Sequence, residues 1–161
     1  MKYQYLNEPI PQEARQELND KILYLVDQDL AEQSGISRED IYNAYTGDGG
    51  LHGLKRSDFS NYHEYAEAKK EIENGQFFTP PALCQFIMEA LSPAMDETVA
   101  DLTSGIANLC NFMPLEANFY GCELDIKSHK VAHYLYPAAN LEHRDIRFYQ
   151  PNMRYDYIVG N

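Results

Sequence analysis

ETVADLTSGIAN, residues 97–108, and NFYGCELD, residues 118–125, decide how this chain folds. Residues 97–102 and 118–124 each read as a short buried strand bounded by polar or turn residues. Behind the first comes a tight turn at Gly105 and a short helical piece broken by Pro114. Behind the second, DIKSHKVAHYLY (125–136) predicts a helix that Pro137 stops. HRDIRF (143–148) and YDYIVG (155–160) supply a third and a fourth strand. Ahead of them all, TPPALCQFIMEAL (79–91) predicts a helix with Thr79 as N-cap, Pro80 at the first helical position, and Leu83, Ile87, Ala90 and Leu91 along one face. Strands alternating with helices at this spacing predict an α/β, Rossmann-like parallel sheet of about four strands in the order 3-2-1-4.

The first part of the chain has another texture. Residues 1–74 read as an N-terminal helical segment, and 75–161 as the partial Rossmann-like domain. Leu18, Ile22, Leu25 and Val26 recur at helical spacing, and Ser37 with Asp40 resembles a capping box. TGDGGLHG (46–53) is a glycine-rich loop. A further helix over 60–73 carries Tyr62, Tyr65, Ala66, Lys69 and Ile72 on one stripe, and Asn74-Gly75 ends it.

Composition narrows the function classes. Apolar residues make up 44% and charged residues 24%, as in an ordinary soluble globular chain. No run approaches the ~18 apolar residues of a membrane span, and the N-terminus lacks the apolar run of a signal peptide, so the expected location is the cytoplasm. Cys84, Cys110 and Cys122 are spaced for neither a metal site nor a disulfide framework. His129 and His133 form a helix-spaced pair with too few ligands for zinc, and no metal is expected. A net charge of −12 repels phosphate, so any grip on DNA belongs to a hidden basic groove or to another region.

In open parallel sheets, ligands lie at the carboxyl ends of the strands. Asp101 ends the first strand, Glu123 ends the second, and Asp145 belongs to the third. An acid at Glu123 is placed to accept both hydroxyls of a ribose, and Asp145 to accept the exocyclic amine of an adenine. A pyrophosphate calls for G-x-G-x-x-G, but Ala107 replaces the second glycine and Pro114 shortens the helix. S-adenosylmethionine carries no phosphate, and its positive amino and sulfonium groups suit acids such as Asp101.

These segments resemble the amino-directed DNA methyltransferases, especially the adenine-N6 group of restriction-modification and mobile-element enzymes. GQFFTPPALCQFIMEAL is similar to the segment before the family's first strand, whose Thr-Pro helps hold the cofactor's methionine end. VADLTSGIANLCNF resembles the motif D-P-x-x-G-x-G, with Leu102 in place of proline and Ala107 in place of the second glycine. YGCELD resembles the second motif and HRDI the third. The resemblance implies S-adenosylmethionine as cofactor, held by Thr79, Asp101, Thr103, Gly105, Glu123, Leu124, Asp145 and Ile146. Glu123 would take the ribose, Leu124 and Ile146 would pack on the adenine, and Asp145 would take its amine.

YDYIVGN, residues 155–161, resembles the start of D-x-I-x-x-N-P-P-[YF]. It implies that Asn161 is the catalytic asparagine, which with a proline carbonyl accepts the hydrogens of adenine N6 while an aromatic residue stacks on the flipped base. The expectation is a cofactor-binding part of a DNA methyltransferase that lacks turnover alone and meets DNA through regions mostly outside this chain. An alternative is a non-catalytic module that keeps the fold to bind S-adenosylmethionine or a partner protein. An NAD-binding domain is disfavoured by Ala107. Strand 155–160 is expected at the sheet edge, where it invites self-association.

Overall fold

The computed structural model describes residues 1–4, 12–46, 56–73 and 78–160. Two compact units result: Met1–Gln4 joined with Thr79–Asn161, and Tyr5–Phe78.

The Tyr5–Phe78 unit is helical, with α1 (Gln12–Asp27), α2 (Arg38–Thr46) and α3 (Tyr62–Glu73). On α1, Ile22 and Leu25 are buried and Leu18 and Val26 half-buried, as the helical spacing predicts. The Ser37–Asp40 box closes in both directions. The Asp40 N–H donates to Ser37 Oγ at 3.0 Å, and the Ser37 N–H to Asp40 Oδ2 at 2.9 Å. Ile41, Tyr42, Ala44 and Tyr45 then bury one after another. On α3, Tyr65 and Ala66 are half-buried, whereas Tyr62 stands 70% exposed. The expected glycine loop over 47–53 and the helix stop at Asn74-Gly75 lie outside the described residues.

The other unit holds α4 (Pro81–Leu91), β1 (Val99–Asp101), β2 (Phe119–Glu123), α5 (Ile126–Leu135), β3 (Asn140–His143) and β4 (Tyr157–Val159). All pairings are parallel and the strand order is β3-β2-β1-β4, the predicted topology. Val99, Ala100, Phe119 and Cys122 are buried in the sheet, with Val131, Ala132 and Leu135 of α5 and Cys84 and Met88 of α4. Asp125 caps α5 by accepting the Ser128 N–H at 2.8 Å. Asp156 fastens β4 to β1, since its Oδ2 accepts both the N–H and the hydroxyl of Thr98 at 2.8 Å.

Three expectations need correction. Pro80, not Thr79, is the N-cap of α4, and Pro81 is its first helical residue. A residue before proline is pushed out of the helical region, and Pro80 accordingly sits at φ −57°, ψ 143°. The buried face of α4 is Pro81, Cys84 and Met88, while Leu83 is 46% exposed and Ala90 is exposed. That face packs on the turn 108–112. The third strand is Asn140–His143 rather than 143–148, because Asp145 caps a 3-10 turn over 146–148 and ends the extended backbone.

The boundary after residue 74 also leaves out one association. The Asn111 carboxamide accepts the Tyr3 N–H at 2.6 Å and donates to the Tyr3 carbonyl at 3.0 Å, tying residues 1–4 to the sheet unit. Among the described residues no helix is long and apolar enough to cross a membrane.

Candidate cofactor site

Parallel register places Asp101 beside Gly121 and beside Val159, so the ends of β1, β2 and β4 meet around the turn 102–105. This turn folds back onto β2, where the Ser104 N–H donates to the Cys122 carbonyl at 3.0 Å. Close approach needs a glycine below it. A methyl group on Gly121 would lie 2.8 Å from Ser104 Oγ and 2.6 Å from Leu141 Cδ2. Gly105 takes φ 54°, a left-handed conformation that suits glycine, and Ala107 takes φ 59° at the position where the resembling motif has its second glycine.

Asp101 is 7% exposed. Its Oδ1 accepts the Thr103 N–H at 3.1 Å. Burial raises its carboxyl to about 6, opposed by the Thr103 backbone contact and reinforced by the nearby charge of Glu123. The same carboxylate acts on Cys84, whose thiol burial and then Asp101 push up to about 12. Gly160, just past β4, borders this acid, because a methyl group there would lie 3.7 Å from Asp101 Oδ1 and 3.5 Å from Thr103 Oγ1.

Glu123 bridges the turn and the head of α5. Its Oε2 accepts the Gly105 N–H at 2.7 Å and its Oε1 the Asp125 N–H at 2.7 Å. A carboxylate offers about four acceptor positions, so each oxygen keeps one open. Beyond Glu123, Leu124 is 67% exposed and Ile146 46% exposed. The ends of β2 and β3 are joined there, since the Arg144 N–H donates to the Glu123 carbonyl and His143 Nε2 lies 2.9 Å from the Leu124 carbonyl.

Thus the structure gathers Asp101, Thr103, Gly105 and Glu123 around one turn. Thr79 joins through Asn108, whose Nδ2 donates to the Thr79 carbonyl at 2.9 Å. Asn108 Oδ1 is buried with no hydrogen-bond partner among the described residues. Asp145 is already engaged, because Arg147 donates to it from backbone and guanidinium. Asn161 lies outside the described residues. Sequence reasoning missed Gly121, Asn108, Gly160 and Arg147. Gly121, two residues before the acid, and Arg147, two after Asp145, were the legible signals. The rings of His129, His133 and His143 cluster, but among the described residues no three His, Cys, Asp or Glu are placed to hold a metal ion.

A family model described as N-6 DNA methylase matches residues 60–146, more than half of the sequence. The chain belongs to the N-6 DNA methylase family. The match spans Asp101, Glu123 and Asp145 and reaches back into α3 of the helical unit, so the matched residues belong to both units. Among solved structures, the chain is similar to a protein from Vibrio vulnificus YJ016 assigned as the modification subunit of a type I restriction enzyme. Identity is 15% and the TM-score 0.43, over 76% of this chain and 36% of that one. The chain therefore spans little more than a third of that subunit. No curated protein matches the sequence.

Proposed function

We propose that this chain binds S-adenosylmethionine at the carboxyl ends of β1 and β2, as the cofactor-holding part of a cytoplasmic DNA adenine-N6 methyltransferase of restriction-modification or mobile-element type. The observation that carries this reading is the half-filled carboxylate of Glu123. Its two backbone donors fix the side chain and leave one acceptor position on each oxygen, which matches the two hydroxyls of a ribose. Asp101 supports the other end. An acid held largely out of water at the turn gains most from a cationic ligand, and an ammonium group supplies that charge. Asn108, whose amide nitrogen donates to the Thr79 carbonyl, has in Oδ1 a buried acceptor without a donor among the described residues, which a ligand ammonium would satisfy. The exposed side chains of Leu124 and Ile146 offer apolar walls to an adenine.

When bound, the cofactor supplies an activated methyl group. The residues of this chain orient it, with Glu123 gripping the ribose and Asp101 the charged end, so that the methyl group points at one place. The net charge of −12 opposes a DNA duplex, and contacts to phosphate then come from another surface.

Titration calorimetry with S-adenosylhomocysteine tests the reading. Glu123→Ala should lose ~1.5–3 kcal/mol of binding free energy, roughly 10- to 150-fold in Kd, as for hydrogen bonds to a charged group. A thermal melt of the same variant separates loss of the ligand contact from release of the turn at Gly105. Unchanged affinity in Glu123→Ala removes the acid from the site, and preferential binding of NAD overturns the assignment.

A further inference from the structure

Asp145 and Glu123 differ in what they have left to offer. Three N–H groups of Arg147 cover both oxygens of Asp145, the single Nε–H being shared between the two. Oδ1 accepts the backbone N–H at 2.9 Å and Nε at 3.1 Å, while Oδ2 accepts Nε at 3.0 Å and Nη2 at 2.5 Å. With about four acceptor positions on a carboxylate, Arg147 takes three of those of Asp145, whereas Glu123 has given up two. The pair is charge-assisted and forked, the stronger kind of side-chain hydrogen bond.

We propose that Arg147 is an intramolecular competitor for Asp145, so that the base end of the nucleoside site recognises an exocyclic amine at full strength only after the guanidinium has left. This rests on the cofactor reading given above. The backbone contact from residue 147 is part of the 3-10 turn and stays. The guanidinium contacts are removable, because the Arg147 side chain is 79% exposed whereas that of Asp145 is 18% exposed. In that same position the guanidinium also lies near an aromatic ring. Its carbon lies 5.9 Å from the centroid of the Phe148 ring, which is itself 68% exposed. A ligand amine therefore does not need to expel a cation into an unfavourable setting; it displaces an exposed arginine side chain that water can solvate. Residue 147 becomes a specificity determinant, since an arginine here blunts discrimination between adenine and a purine without the amine.

Two ligands read this out in calorimetry: S-adenosylhomocysteine, and its counterpart with purine in place of adenine. In the unaltered chain the two should bind within about threefold of each other, because the amine meets an acceptor that is largely occupied. Arg147→Ala should tighten S-adenosylhomocysteine about tenfold, the scale of one hydrogen bond to a charged acceptor, and leave the purine ligand within twofold. Arg147→Lys, which keeps the charge but loses the fork, should fall between. In an Asp145→Asn background Arg147→Ala should have little effect on either ligand. The proposal is overturned if Arg147→Ala shifts both ligands alike or neither, while Glu123→Ala still weakens S-adenosylhomocysteine. If Glu123→Ala also has no effect, the underlying cofactor reading is what failed.

Discussion

Asp101 is a site residue whose chemistry depends on being folded. In the open chain its carboxyl titrates near 3.8, and in the fold near 6. Between those values the folded chain holds a proton that the unfolded chain has released. The contribution to stability is therefore full below pH 3.8 and is lost as pH rises through 6. Asp101→Asn removes this dependence. Relative to the unaltered chain, the variant should gain roughly 1 kcal/mol more stability at pH 7.5 than at pH 5, one unit of the shift being worth that much. Urea unfolding at the two pH values checks it, and an equal effect at both pH values would contradict a raised carboxyl. A cationic ligand acts the other way, because it favours the ionised form. Ligand affinity should then rise with pH through 6, and Asp101→Asn should flatten that rise. The acid itself was readable at the end of a predicted strand. Its proton was not, because burial beside Glu123 is a property of neighbours brought together by strand pairing.

At the level of elements, the turn 102–105 is held by what lies under it. Gly121→Ala places a methyl group 2.6 Å from Leu141 Cδ2, 2.8 Å from Ser104 Oγ and 3.1 Å from Ser104 Cβ. Leu141 can rotate, but Ser104 is anchored to the Cys122 carbonyl, so the turn must lift. We expect a loss of ~1–3 kcal/mol in denaturant unfolding, the cost of overpacking, with weaker S-adenosylhomocysteine binding as Gly105 moves from Glu123. Wild-type stability and affinity would show that the turn yields freely. The elements themselves were unevenly legible. β1, β2 and α5 were readable because short apolar runs, Asp125 and Pro137 mark them. β3 was misplaced because Asn140, Glu142 and His143 are exposed, so the strand carries no buried alternation to read. The apparent alternation in HRDIRF belongs instead to a capped turn. The face of α4 was misjudged for a related reason. Pro80-Pro81 sets where the helix begins, and packing on 108–112 sets which side it hides.

At the scale of the whole molecule, β4 is an end strand of the described sheet, as expected. The Tyr157 N–H points inward to the Thr98 carbonyl at 3.0 Å, so the alternation of a strand turns the N–H and C=O of Ile158 to the outer edge. The Ile158 side chain is 66% exposed. Such an edge recruits another strand, and a second copy of this chain is the partner always present in solution. Light scattering should show mass rising with concentration. Ile158→Pro, which removes the outward donor without touching the bonds to β1, should hold the chain monomeric with its melting temperature little changed. A monomer at all concentrations before substitution would reject this role for the edge. By itself, the sequence determined the order of elements, the parallel sheet and the acids at the strand ends, because apolar period, caps and prolines act over a few residues. Only the tertiary structure decided that Asn111 clasps Tyr3, that Glu123 keeps two acceptor positions open, and that Arg147 takes most of those of Asp145. Hydrogen-bond capacity is spent on whichever donors arrive in space, and that is set by packing rather than by residue type.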